Sequence, residues 1–219
     1  MKLKVTVEKA REQVAKFSQK MATMNLVLGT WGNISCHLPE DGLVVITPSG
    51  VDYETMRLHK TVVVNMQGEV EEGELKPSSE VKVHLAVYAA RPDVRAIVHT
   101  HSTYASALAV AREPIPPILE DMASLIGGEV AVAEYALAGT DLLATNVVSS
   151  LGDRNAVLMA SHGIVGVGRD LTEAFNVAMM VERCAHIYTI AKQVGNPHML
   201  GPEDVAFMRN FYLTKYGQK

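Results

Sequence analysis

The chain has 219 residues, 20 of them Lys or Arg and 24 Asp or Glu, for a formal net charge of −4. That balance excludes nucleic-acid binding through bulk electrostatics, although a local pocket for one phosphate is compatible with it. With 48% hydrophobic and 20% charged residues the composition is that of a folded globular protein, and no stretch approaches the roughly 18 uninterrupted apolar residues that span a bilayer.

The N-terminal MKLKVTVEKAREQ carries charges where a secretory leader needs an apolar run. Apolar residues then recur at helical spacing (Val7, Ala10, Val14, Phe17, Met21, Met24), predicting an amphipathic helix over 5–27. The β-branched runs at 43–47 and 61–65 read as strands, and Gln67-Gly68 as a turn. Pro77-Ser78-Ser79 precedes a helical pattern over 80–90, and 95–101 (RAIVHTH) reads as a buried strand after Arg91-Pro92-Asp93. From there strand and helix are expected to alternate: helices over 102–111 and 118–126, a strand over 129–136, a helix over 139–151, a strand over 156–160. A long helix over 171–194 and a C-terminal helix over 202–212 complete the pattern. With no repeat or linker-like stretch, the expectation is one α/β domain spanning 1–219, in three layers, a sheet covered by helices. The two cysteines, Cys36 and Cys184, have neither CxxC spacing nor a disulfide-framework count, which points to buried packing residues and a cytoplasmic protein.

His99-Thr100-His101 places two imidazoles on one face of a strand, where both can reach one metal. An HxH pair alone is more often a pair of hydrogen-bonded core or surface histidines. Ser161-His162-Gly163, ending the apolar run 156–160, adds a third imidazole and a glycine that permits close backbone approach. Three histidines with an open position form the ligand set of catalytic rather than structural zinc. His84, on the helix after Glu80, and His37, His59, His186 and His198 lack a partner at ligand spacing and read as ordinary core or surface residues.

Three polar segments stand out: 29–33 (GTWGN), 47–50 (TPSG) and 77–80 (PSSE). Each offers backbone N–H groups or hydroxyls to a phosphate, and Ser78-Ser79 lies where a helix N-terminus adds its positive dipole end. Each alone is also plain turn or cap chemistry.

Together these segments resemble the class II aldolase and adducin-head family. GTWGNIS (29–35), VITPSG (45–50), PSSE (77–80), VHTHS (98–102) and SHG (161–163) occur in family order, and the likeness runs from the first helix to Lys215-Tyr216-Gly217. The resemblance implies a central, mostly antiparallel sheet and a metal-dependent lyase. It implies that His99, His101, His162 and Glu80 hold zinc, with Mn2+, Co2+ or Fe2+ as substitutes, and that Glu80 also moves the proton. The phosphate pocket falls on Thr30, Asn33, Ser49, Gly50, Ser78 and Ser79. The family's active sites lie between subunits of a homotetramer, with a C-terminal tyrosine, here Tyr216, closing over a small sugar phosphate. No nucleic acid or membrane partner is implied.

Cleaving a ketose 1-phosphate between C3 and C4 leaves negative charge on an enediolate, which a divalent ion stabilises, and a carboxylate must move a proton at C3. The family's epimerases resemble a pattern with Asp in place of Glu80 and a long insertion before the third histidine. The compact interval here favours an aldolase of the L-fuculose 1-phosphate or 5-deoxyribulose 1-phosphate type. Glu120 and Asp121, where the fuculose enzyme resembles a tyrosine pattern and the epimerase an aspartate one, are the candidates for acid–base work at the aldehyde end. The alternatives are a ribulose-5-phosphate 4-epimerase, a methylthioribulose-1-phosphate dehydratase, and a non-catalytic adducin-like head.

Overall fold

The computed structural model describes residues 5–217. Among them, eight strands form one sheet. In chain order these are β1 (Asn33–Leu38), β2 (Leu43–Ile46), β3 (Val62–Asn65), β4 (Val70–Glu72), β5 (Ala96–Thr100), β6 (Val132–Ala133), β7 (Ala156–Met159) and β8 (Gly163–Gly168). Their spatial order is β4-β3-β2-β1-β5-β8-β7-β6. Every adjacent pair is antiparallel except β6 and β7. The helices are α1 (Val7–Thr23), α2 (Val81–Ala90), α3 (Thr103–Ala111), α4 (Glu120–Ile126), α5 (Asp141–Leu151), α6 (Leu171–Val194) and α7 (Pro202–Thr214).

Side chains alternate across the sheet and divide the interior into two cores. Ile34, Cys36, Val45, Val98 and Ile164 pack on one face with α1, α3, α4 and α6, where Phe175 and Val181 are buried. Val44, Ile97, Val165 and Val167 pack on the other with α2 and α5, through Val83, Val87, Leu143 and Val147. This is the expected single α/β domain in three layers. Both cysteines are free and buried, and burial pushes each thiol up to about 12.

The structure departs from the pattern reading at the least apolar strands. Residues 33–38 alternate cleanly, with Asn33, Ser35 and His37 opposite Ile34, Cys36 and Leu38, yet the preceding glycines make the segment look like a loop. Strand β8 (GIVGVG) has three glycines, which weaken strand propensity. Its glycines serve α6 instead: a Cβ on Gly168 would lie 2.5 Å from the Ala174 nitrogen, and one on Gly166 would lie 3.2 Å from the Ala174 carbonyl oxygen. The β7–β8 hairpin therefore breaks the expected alternation. The strand expected over 129–136 shrinks to Val132–Ala133, an edge strand whose pairing ends opposite Met159, where β7 turns. Helix α1 is shorter than 5–27, capped by the Thr6 side chain and stopped before Asn25, which sits at φ 55°.

Candidate active site

Strand β5 lies at the middle of the sheet, and its C-terminal end carries the site. His99 is the register partner of Asn33 on β1 and of Val165 on β8, so the side chains of His99 and Asn33 share the face covered by α2. His101 follows two residues later, past the strand end, its N–H held by the Leu26 carbonyl at 3.2 Å. His162 sits in the β7–β8 turn after Ser161, which takes a left-handed φ of 55°. Glu80 is the residue from which α2 starts. The segment before it is fixed by a bridge between Pro48 and Pro77 and by the Ser78 N–H bonded to the Thr47 carbonyl at 3.0 Å.

One ligand atom from each of Glu80, His99, His101 and His162 lies within 4.8 Å of all the others. Nε2 of His99 is 2.9 Å from Nε2 of His101 and 3.0 Å from Oε2 of Glu80, while Nε2 of His162 is 3.3 Å from Oε1 of Glu80. The Nδ1–H of His99 donates to the Ile164 carbonyl at 2.7 Å, which turns its Nε2 lone pair into the site, as second-sphere carbonyls do for metal-binding histidines. Two imidazole nitrogens facing each other need a cation or a proton between them. Glu80 Oε1 is buried with no hydrogen-bond partner. Three nitrogens and one such oxygen are a donor set for a divalent transition ion, and these residues fit one.

The electrostatics agree. Burial raises the Glu80 carboxyl, but the opposing charge and hydrogen bond of His99, with smaller contributions from His162 and Asn33, hold it well below the usual carboxylate range. Burial alone would depress His99, yet Glu80 keeps it above its ordinary value. A proton on His99 therefore occupies the nitrogen a metal needs, and metal binding must release it. Burial and the His99 charge push His101 down to about 3 and His162 to about 4.

His84, one turn into α2, is fully buried and burial pushes it down to about 3. It contributes stability that is complete above pH 6.5 and is lost as pH falls toward its folded value, because only the unfolded chain then takes up a proton. Glu80, depressed rather than raised, loses its contribution only below about pH 4.5. Between pH 6.5 and 4.5 the metal-free protein is thus expected to lose stability through His84, His101 and His162, all pushed down, with His99, held above its ordinary value, opposing the loss. His84 adds up to about 1.4 kcal/mol per pH unit. Denaturant unfolding at pH 7, 6 and 5 checks this, and the slope should shrink in His84→Phe.

Thr30, Trp31, Asn33, Ser49, Gly50, Ser78, Ser79, Glu80, His101 and His162 all line one cleft of about 490 Å3. The three polar segments thus converge, as their resemblance implied. Tyr53 pins the first of them by donating its hydroxyl hydrogen to the Gly32 carbonyl. Asn33 lines the cleft and also reaches the carboxylate: its Nδ2 donates to Glu80 Oε2 at 2.9 Å and its Oδ1 faces His84. Glu120 and Asp121, in the exposed first turn of α4, and Tyr216, 69% exposed beyond α7, lie outside this cleft of their own chain. Sequence reasoning passed over Ser35, His84 and Tyr88, which stand behind Asn33. The period-2 spacing of Asn33 and Ser35, and the i, i+4 spacing of Glu80, His84 and Tyr88, were the available signals.

Gly163 confirms the close backbone approach expected of it. A Cβ there would fall onto the Thr100 carbonyl and lie 3.2 Å from the His101 ring. Gly163→Ala is therefore expected to force β8 from β5, separating His162 from His101. Metal content per chain should fall several-fold, with a loss of about 1–3 kcal/mol in stability.

A cation site beside a carboxylate that can move a proton serves bond making and breaking next to a carbonyl, and the hydroxyl-rich cleft suits a phosphate. The class so defined is a metal-dependent sugar-phosphate lyase. The class II aldolase and adducin N-terminal domain matches residues 12–189, and the chain belongs to that family. It is 41% identical to 5-deoxy-D-ribulose 1-phosphate aldolase of Bacillus thuringiensis serovar kurstaki, over 97% of this chain and 99% of that protein. It is 36% identical to L-ribulose-5-phosphate 4-epimerase UlaF of Salmonella paratyphi B, over 96% of each. Among solved structures, an L-fuculose 1-phosphate aldolase superposes with a TM-score of 0.90 at 41% identity, covering 93% of this chain and 96% of that one.

Proposed function

We propose that this enzyme is a zinc-dependent aldolase that splits a ketose 1-phosphate between C3 and C4 into dihydroxyacetone phosphate and a short aldehyde. A 5-deoxyribulose 1-phosphate type substrate is preferred over L-fuculose 1-phosphate, supported by the 41% identity along nearly the whole chain to the bacterial enzyme named for it. The observation that carries the reading is the cleft itself, which residues of the three polar segments line together with Glu80, His101 and His162.

His99, His101 and His162, with Glu80 as a fourth ligand, would hold the ion, which when bound supplies Lewis-acid stabilisation of the enediolate charge. Thr30, Asn33, Ser49, Gly50, Ser78 and Ser79 bind the phosphate, and the Asn33 side chain also holds Glu80. In the condensation direction the ionised Glu80 takes a proton from C3 of dihydroxyacetone phosphate while the new C4 alkoxide takes one from the acid at the aldehyde end. In cleavage that group takes the C4 hydroxyl proton, Glu80, having taken up a proton from solvent, gives it to C3, and exchange with solvent resets both. Glu120 or Asp121 and Tyr216 manage the aldehyde end from a neighbouring subunit of a homotetramer. Their exposure outside their own cleft supports this, as do exposed Leu28 and Trp31 in the loop that borders it. The compartment is the cytoplasm, in keeping with two free thiols.

Phosphate is common to every donor, so Ser49→Ala and Ser78→Ala are expected to raise KM roughly tenfold or more with little change in kcat, a loss of uniform binding. Asp121→Asn, Glu120→Gln and Tyr216→Phe should instead change kcat and aldehyde preference. Steady-state kinetics with two aldehydes checks both. Equal, small effects of the second group on both aldehydes would contradict the intersubunit arrangement.

A further inference from the structure

From Asn33 in the wall of the cleft, hydrogen bonds continue behind Glu80 into the buried interior. Asn33 Nδ2 donates to Glu80 Oε2 at 2.9 Å, and Asn33 Oδ1 meets His84 Nε2. His84 Nδ1 lies 2.6 Å from Ser35 Oγ, which lies 2.6 Å from the Tyr88 hydroxyl. Asn33, Ser35, His84 and Tyr88 are each at most 2% exposed, so water cannot replace a missing partner.

Chemistry fixes the direction of every link. An ionised carboxylate only accepts, so Asn33 must turn its NH2 to Glu80 and its oxygen to His84. His84 must then donate from Nε2, which in a neutral imidazole leaves Nδ1 as acceptor. Ser35 therefore donates to Nδ1, and with its single hydrogen used, it accepts from Tyr88. Each donor points toward Glu80.

We propose that His84 is a positioning residue of the reaction, its tautomer set by Ser35 and Tyr88, acting through Asn33 to fix the two oxygens of Glu80 in different roles. Oε2 is anchored by the Asn33 amide. Oε1, which has no hydrogen-bond partner, is left directed at the His162 side of the site. With the other tautomer, the Nε2 lone pair would face Asn33 Oδ1. The amide would then turn over and present oxygen to a carboxylate, and Glu80 would lose its anchor. This rests on the reading of Glu80 as the group that moves the C3 proton.

The test uses the metal-loaded protein and four variants: His84→Phe, Ser35→Ala, Asn33→Ala, and His84→Phe combined with Asn33→Ala. His84→Phe should lower kcat roughly 10-fold to 100-fold, the usual effect of removing such outer partners, with KM within about twofold. Ser35→Ala, a milder change, should lower it in the same direction. Because His84 acts through Asn33, the double variant should be no slower than Asn33→Ala alone. Nitrogen-15 spectra of the wild type should show His84 neutral and protonated on Nε2. The wild type's own release of dihydroxyacetone phosphate tests the proposed function. The variant-to-wild-type ratio, taken on whichever sugar phosphate the wild type turns over, tests His84. Losses in kcat that multiply across His84 and Asn33, a normal kcat in Ser35→Ala, or a proton on Nδ1 of His84 would each overturn the proposal. Should His84→Phe fail to fold, Ser35→Ala and the tautomer decide it.

Discussion

Glu80→Gln is expected to fold, to bind close to one divalent ion per chain, and to turn over about 100-fold to 10,000-fold more slowly than the parent. The amide keeps the shape of the carboxylate and can still meet Asn33 and His99, so the cleft should persist. What it cannot do is exchange a proton with C3. The three imidazoles remain, and His99 keeps its bond to the Ile164 carbonyl, so metal content should change far less than rate. Loss of the negative charge also removes what holds His99 above its ordinary value. Metal binding to the variant should therefore persist to lower pH than in the parent. Near-normal turnover would reduce Glu80 to a helix-start carboxylate.

Stripping the metal with a chelator should lower turnover by on the order of 1,000-fold, since Lewis-acid stabilisation of the developing charge is worth several kcal/mol. Adding Zn2+, Mn2+, Co2+ or Fe2+ should restore it to different extents. His101→Ala should behave like the stripped protein and resist rescue. The reason is geometric: His99 and His101 face each other at 2.9 Å, and two ligands from one strand end cannot be replaced by one from the loop. Acidification should mimic chelation, because a proton on His99 competes for the same nitrogen. Elemental analysis beside activity, at pH 8 and pH 6, separates the two effects. Full activity in verified metal-free protein would contradict the assignment.

Much of this architecture was legible in the chain. Strongly periodic or β-branched segments such as 62–65, 96–100 and 171–194 declare their structure because burial dominates their energetics. The sites on them followed: His99 and His101 share a face because they are two residues apart on a strand. What stayed hidden depended on tertiary partners. Strand β8 is glycine-rich because α6 packs against its backbone, a demand that no local propensity records. Asn33 read as a phosphate-loop residue alone because nothing local announces that His84, 51 residues away, also engages its oxygen. Glu120, Asp121 and Tyr216 do not meet the cleft within one chain, and sequence spacing alone cannot say which copy they would serve.

The most direct measurement incubates the metal-loaded protein separately with 5-deoxyribulose 1-phosphate, L-fuculose 1-phosphate and L-ribulose 5-phosphate, following dihydroxyacetone phosphate and pentulose 5-phosphate stereochemistry together. The account predicts dihydroxyacetone phosphate from a ketose 1-phosphate, fastest from the 5-deoxyribulose compound and abolished by chelator. Conversion of L-ribulose 5-phosphate to its C4 epimer, with no dihydroxyacetone phosphate from either 1-phosphate, would contradict it.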